Sequence, residues 1–309
     1  MEGIVIKSTG SWYEVRDQNH KVVSCRLRGK FKLHGMKVTN PIAVGDQVEF
    51  EMEAEEKGII IGIRDRHNYI IRKSTRKKHH AHIIAANIDQ AVLLATLVFP
   101  RTSLGFIDRF LVSAESFRIP SVIVFNKADL LDDEMHSYQQ ELAQMYESLG
   151  YPCLLISALE EEGIEKFRNL LNGKTTLLSG HSGVGKSTLI NKIISEIDLK
   201  TSEVSTYANK GVHTTTFAEM FEVTEKVSEK TFIIDTPGIK ELGLMDIGDE
   251  EVSHYFPELR ELLGHCRYNN CTHTHEPGCA ILQAIEEGKI YPSRYENYLG
   301  MLGEEDNRR

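Results

Sequence analysis

Asn126-Lys127-Ala128-Asp129 and, further on, Gly180-His181-Ser182-Gly183-Val184-Gly185-Lys186-Ser187 decide the fold, because of the order in which they come. The second run matches G-x-x-x-x-G-K-[ST], the loop whose backbone N–H groups cradle phosphates. The first reads N-K-x-D, the pattern with which nucleotide-binding loops select guanine. A guanine-nucleotide domain ordinarily presents the phosphate loop first and N-K-x-D late. Here N-K-x-D begins 54 residues upstream. The chain therefore reads as a guanine-nucleotide domain with its halves exchanged by circular permutation.

Each residue type suits its expected task. Gly180, Gly183 and Gly185 let the backbone approach phosphate, and the following helix adds its positive end. Lys186 would reach the β- and γ-phosphates, and the Ser187 hydroxyl would bind Mg²⁺. The expected phosphate-side contacts run without a gap over Gly180, His181, Ser182, Gly183, Val184, Gly185, Lys186, Ser187 and Thr188. Asp129 offers a carboxylate that matches two donors of guanine, which adenine lacks, so ATP would leave it unpaired. Asn126 would brace the loop, and the Lys127 stem would cover the base. Ser157-Ala158, at the end of the next apolar strand, would complete the base pocket.

Asp235-Thr236-Pro237-Gly238 follows another apolar strand as D-x-x-G. Asp235 would hold Mg²⁺ through water, and the Gly238 amide would sense the γ-phosphate, as in a switch element. Upstream, one of Thr214–Thr216 should meet Mg²⁺, with Thr215 preferred. Ile239 stands where Ras-like enzymes use Gln to orient the attacking water, which an apolar side chain cannot do. His213, beside the threonines and titratable near neutral pH, is the candidate catalytic group. Slow intrinsic hydrolysis, stimulated by a partner, is the consequence.

Around these motifs apolar strands alternate with helical patterns from residue 84 to about 245, which predicts a parallel sheet covered on both faces. Each motif ends a strand, where such sheets bind ligands. Beyond residue 245 the pattern is helical, with helices expected over 250–263, 281–285 and 291–302. Between them lie Cys266, Cys271, His273 and Cys279, three thiolates and an imidazole within 14 residues. That is a closed structural zinc set. His265 and His275 compete with His273 for the fourth place.

Residues 1–68 read as five short strands punctuated by Gly10, Gly29, Gly45 and Gly58, which suits an OB-type barrel and, nearly as well, an SH3-like one. The net charge of −9 conceals an asymmetry: residues 1–82 carry 16 Lys+Arg against 10 Asp+Glu, and residues 83–309 carry 20 against 35. A basic first third could face nucleic-acid phosphates. Arg26, Arg28, Lys30, Arg76 and Lys77 are its candidate RNA contacts, the last two in a basic linker over 69–83. The five cysteines are odd in number and three cluster near histidines, which favours a reducing cytoplasm over a disulfide framework. No run approaches the roughly 18 apolar residues of a membrane span, and Met1-Glu2-Gly3-Ile4 does not open a secretory signal.

Taken together, N-K-A-D, S-A-L, G-x-S-G-V-G-K-S, H-T-T-T and D-T-P-G in this order, the preceding barrel, the zinc residues with E-P-G-C-A, and Arg294-Tyr295 resemble the RsgA (YjeQ/YloQ) family of ribosome small-subunit-dependent GTPases over nearly the whole chain. The resemblance implies a multidomain α/β protein: an OB-type RNA-binding barrel over 1–68, the linker over 69–83, a circularly permuted GTPase domain over 84–245 and a helical zinc domain over 246–309. It further implies one structural Zn²⁺, Mg²⁺ with GTP, a monomeric cytoplasmic protein, and GTP hydrolysis stimulated by the small ribosomal subunit and its rRNA during late maturation. The alternative is a guanine-nucleotide switch acting on a protein partner without RNA binding.

Overall fold

Alternating apolar residues near the N-terminus produce five strands: β1 (Glu2–Ser8), β2 (Tyr13–Asp17), β3 (Val22–Leu27), β4 (Gln47–Ala54) and β5 (Lys57–Ile63). The fold is that of a computed structural model, which describes residues 1–28, 41–73, 81–194, 218–235 and 247–302. The strands hydrogen-bond in the order β1-β2-β3-β5-β4, and β1 also pairs with β4, which closes the barrel. The β3–β5 pair is parallel while its neighbours are antiparallel. That Greek-key arrangement is the OB type and settles the choice against an SH3-like barrel. Every second residue points inward, so Val5, Val15, Val23, Cys25, Val48, Phe50 and Ile60 fill the interior.

Residues 69–83, read from sequence as a basic linker, are in part a hairpin. β6 (Tyr69–Lys73) pairs antiparallel with β7 (Ala81–Ala86) as a separate two-stranded sheet. The cationic run dominated the sequence pattern, but Ile70, Ile83 and Ala85 are buried and fold the strands against the body of the protein.

The α/β domain continues with β8 (Gln90–Ala95), α1 (Leu104–Ser116), β9 (Ser121–Phe125), α2 (Asp133–Ser148), β10 (Cys153–Leu155), α3 (Glu161–Leu171), β11 (Thr175–Gly180), α4 (Lys186–Ile193), β12 (Glu219–Val223) and β13 (Thr231–Asp235). The order across the sheet is β10-β9-β8-β11-β13-β12. All pairs are parallel except β12–β13, so the parallel sheet expected from sequence carries one antiparallel strand at its end. Counted from β11 and wrapped around, the order becomes 2-3-1-4-5-6. That is the Ras-like arrangement with its chain ends relocated. Helices cover both faces and create two apolar clusters, one including Phe110, Leu111 and Tyr146, the other Phe167, Leu189 and Ile190. Beyond the domain, β12 meets β1 of the barrel, so one eleven-stranded sheet runs through both.

The C-terminal segment forms α5 (Asp249–Val252), α6 (Pro257–Arg260), α7 (Ala280–Glu286) and α8 (Pro292–Met301). The single helix expected over 250–263 is broken. Pro257 forces the residue before it out of the helical region, and Phe256 is extended, at φ −103° and ψ 109°. No helix among the described residues is long and apolar enough to cross a membrane.

Candidate functional site

The phosphate loop leaves β11 at Gly180 and enters α4 at Lys186. At Gly180 a Cβ would lie 2.6 Å from the Leu94 carbonyl oxygen, and at Gly185, where φ is +100°, 2.4 Å from Asn126 Nδ2. Neither position tolerates a side chain without moving backbone or the buried Asn126.

Asn126 is the joint of the site. It directly follows β9, is 1% exposed, donates through Nδ2 to the Val184 carbonyl at 2.8 Å and accepts through Oδ1 from the Ala158 amide at 2.9 Å. One side chain thus ties N-K-x-D, the phosphate loop and the Ser157-Ala158 loop together. The Ser157 hydroxyl donates to Asp129 Oδ1 at 2.6 Å and accepts from the Leu159 amide at 3.1 Å, which aims the carboxylate. Lys127 is left-handed, φ +65°, and its Nζ donates to the Phe99 carbonyl at 3.0 Å. Burial lowers the Lys127 pKa, and Asp129 opposes the shift.

On the phosphate side, Lys186 Nζ lies 2.7 Å from Asp235 Oδ1 at the end of the neighbouring strand β13. Ser187 and Thr188 occupy the first turn of α4, Ser182 is exposed at the loop's tip, and Gly183 is left-handed. The His181 ring stacks on Phe106 of α1, centroids 3.8 Å apart. Sequence reasoning missed the roles of Phe106 and the Phe99 carbonyl, because both arrive from elements without a motif. His213, Thr214–Thr216 (Thr215 included), Gly238 and Ile239 lie outside the described residues.

Cys266, Cys271, His273 and Cys279 come together, their ligand atoms all within 4.8 Å of one another. Cys266 Sγ is 3.9 Å from Cys279 Sγ and 3.6 Å from His273 Nδ1, and Cys279 Sγ is 3.5 Å from the same nitrogen. A tetrahedron with Zn–S of about 2.3 Å and Zn–N of about 2.0 Å has edges of nearly these lengths, so the set fits zinc. Among the three histidines considered, His273 is the one that joins the cluster; His275 Nδ1 instead contacts Thr274 Oγ1. The Glu276 carboxylate accepts from the Thr272, Thr274 and His275 amides and shapes the loop around the set. The Ala280 amide donates to Cys266 Sγ.

The basic surface is less free than the charge count suggested. Arg26 pairs with Glu53 at 2.8 Å and Arg28 with Glu51 at 3.5 Å, both pairs solvent-exposed. Lys30, Arg76 and Lys77 lie outside the described residues.

An OB barrel, a permuted nucleotide sheet with its motif loops at the strand ends, and a Cys3His module define a circularly permuted P-loop GTPase with two appended domains. The sequence model of the RsgA GTPase family matches residues 63–245, and that of the RsgA N-terminal domain matches residues 2–60. The small ribosomal subunit biogenesis GTPase RsgA of Bacteroides fragilis is 50% identical over 306 residues, covering 99% of this chain and 97% of the relative. Its Cytophaga hutchinsonii counterpart is 51% identical over 311 residues, covering all of both chains. Two crystallised proteins share the architecture. YjeQ from Thermotoga maritima has TM-score 0.78 and 35% identity, over 100% of this chain and 99% of its own. YloQ, a circularly permuted GTPase, has TM-score 0.73 and 30% identity, over 100% and 96%. The chain belongs to the RsgA family of GTPases and hydrolyses GTP.

Proposed function

We propose that this GTPase binds the small ribosomal subunit and assists its late maturation, hydrolysing GTP to GDP and phosphate under stimulation by the subunit. It would do so as a cytoplasmic monomer. The observation that carries the reading is Asn126, which joins base-selecting and phosphate-cradling loops in a chain about 50% identical, end to end, to relatives named for small-subunit biogenesis.

In this reading Asp129, aimed by Ser157, accepts from guanine, and Lys127 covers the base. Gly180 through Thr188 hold the phosphates, with Lys186 neutralising charge that develops on the γ-phosphoryl oxygens. Ser187 and Asp235 are the residues that would hold Mg²⁺, which supplies charge neutralisation between the β- and γ-phosphates. Asp235 beside Lys186 places a carboxylate at the mouth of the phosphate loop, as that role requires. Gly238 and Thr215 would report the γ-phosphate, and His213 would orient the attacking water once the subunit is bound. Cys266, Cys271, His273 and Cys279 would hold a structural zinc.

RNA contact is assigned to the N-terminal barrel and its following arm through Arg26, Arg28, Lys30, Arg76 and Lys77. Because Arg26 and Arg28 already face Glu53 and Glu51, their contribution requires exchange of carboxylate for phosphate. Co-sedimentation with purified small subunits at increasing salt tests the reading. Neutralising the five residues should weaken binding and flatten its salt dependence, because fewer counterions are released, while GDP affinity stays unchanged. Undiminished binding with an unaltered salt slope would remove the barrel from the RNA interface.

A further inference from the structure

The barrel and the GTPase sheet meet along one edge, and that edge carries more than a packing contact. The backbone bridge between them pairs Lys7 of β1 with Glu219 of β12. On β12, Glu219 stands opposite Asp235 of β13. On the next strand, Leu178 stands opposite Asp235, two residues before the phosphate loop begins at Gly180. A single transverse row therefore runs from the barrel through Glu219 to Asp235, whose carboxylate lies against Lys186 at 2.7 Å.

Two ion pairs pin the edge. Lys7 Nζ lies 3.0 Å from Glu219 Oε1, and Arg16 of β2 pairs with Glu222 of β12. The Arg16 and Glu222 side chains retain only 23% and 11% exposure, so solvent screens this pair less than an open surface pair. Ile4 and Ile6 of β1 pack on the apolar cluster that contains Met220 of β12. Were the barrel absent, β12 would be the free edge of the nucleotide sheet, held from one side by β13.

We infer that Lys7 and Arg16 of the barrel are positioning residues for GTP hydrolysis: by gripping Glu219 and Glu222 they fix β12 against β13 and hold the Asp235 carboxylate at its height beside Lys186. Binding of guanine rests on loops at the far strands, at Asn126 and Ser157, and is independent of the grip. The expectation is a defect in turnover rather than in nucleotide affinity, since a small misplacement of a reacting group costs rate more than binding. The inference rests on the assignment of Asp235 to the phosphate and magnesium side.

The test uses the full chain, without ribosomal subunits. GTP turnover under saturation and GDP affinity are measured for K7E/R16E on the barrel side, E219K/E222R on the GTPase side, and the fourfold exchange that restores both pairs with reversed polarity. D235A serves as control. Each double variant should lose about tenfold or more in kcat, with KM and GDP affinity within about twofold, and the fourfold exchange should recover most of the loss. Normal turnover in the double variants, with D235A inactive, would overturn the grip while leaving the Asp235 assignment intact. Loss that the fourfold exchange does not recover would also overturn it. Normal turnover in D235A would overturn the assignment of Asp235, and the inference with it.

Discussion

Asn126 and Asp129 belong to one motif, yet their geometry divides the labour between them. Asp129 is aimed by one hydroxyl, from Ser157, and is the residue proposed to choose the base. Replacing it with asparagine turns an acceptor into a group that also donates, which suits xanthine and not guanine. Asp129→Asn should lower GTP affinity and raise that for xanthosine triphosphate, measured by competition with a fluorescent nucleotide. Unchanged preference would take Asp129 out of the base pocket. Asn126 spends both ends of its amide on the protein and holds three loops in register. Asn126→Ala would leave the buried Val184 carbonyl and Ala158 amide unpaired, at about 1–3 kcal/mol each. GDP affinity should fall roughly tenfold to a hundredfold, whatever the base, by titration calorimetry. A base-selective loss would assign Asn126 to recognition instead. The motif strings identified both residues, but the hydrogen bond from Asn126 to the Val184 carbonyl was not legible. It depends on β9 and β11 being brought close by a fold whose chain order separates them.

At the scale of elements, the zinc module and its joint with the GTPase domain carry separable predictions. The four ligands lie on a short loop segment between α6 and α7, so a bound metal would cross-link that segment and add to the apolar cluster of Phe256, Ile281 and Tyr298 on which its cysteines pack. Cys271→Ser should reduce bound zinc below about one per chain and loosen α7 and α8, read by metal analysis and hydrogen exchange. An intact melting curve after chelation would contradict a structural metal. The joint is Arg294 of α8, fully buried, with its guanidinium 2.5 Å from Asp108 of α1 and 2.7 Å from Glu258. Tyr146 and Asn297 also donate to Asp108. Burial raises the Asp108 pKa against the pull of Arg294 and these donors. Removing one partner of a buried pair costs about 3–5 kcal/mol, so Arg294→Ala should lose that much in denaturant unfolding. A folded carboxyl with a raised pKa is most favourable below its unfolded value and less so as pH rises through the folded one. Arg294 pulls that pKa down, so its loss raises the Asp108 pKa further; the Arg294→Ala deficit should be smallest near pH 4, where the carboxyl is protonated in both proteins, grow toward neutrality, and shrink when Asp108→Asn is added. A deficit independent of pH and of Asp108 would mean that the contact of the Arg294 guanidinium with the Phe256 ring dominates.

Element types were largely legible because the periods of strand and helix differ. The failures have local causes. The Glu250–Leu263 pattern kept helical spacing across Pro257, where backbone chemistry overrules it. The β6–β7 hairpin was hidden because its apolar residues flank a cationic run that reads as linker. The choice between OB and SH3-like barrels rests on the parallel β3–β5 pair, a long-range property that no local pattern encodes.

For the whole molecule, the permutation has a structural consequence. It leaves β12 bordered by the barrel, so the domain assigned to RNA and the strand that precedes Asp235 of β13 share one sheet. The C-terminal module is tied to α1, the same helix whose Phe106 stacks on His181 of the phosphate loop. Both appended domains thus touch elements that lead directly to the phosphates. That arrangement suits a GTPase whose water-orienting group, with Ile239 in place of Gln, would be supplied only when a large partner engages both flanks. We propose that the small ribosomal subunit is this partner. The direct measurement is GTP turnover by the purified chain with and without purified small subunits, with large subunits and His213→Ala as controls. Turnover should be slow alone, rise at least about tenfold with small subunits only, and lose that stimulation in His213→Ala while subunit binding is retained. Equal turnover with and without small subunits, or equal stimulation by both subunits, would contradict it.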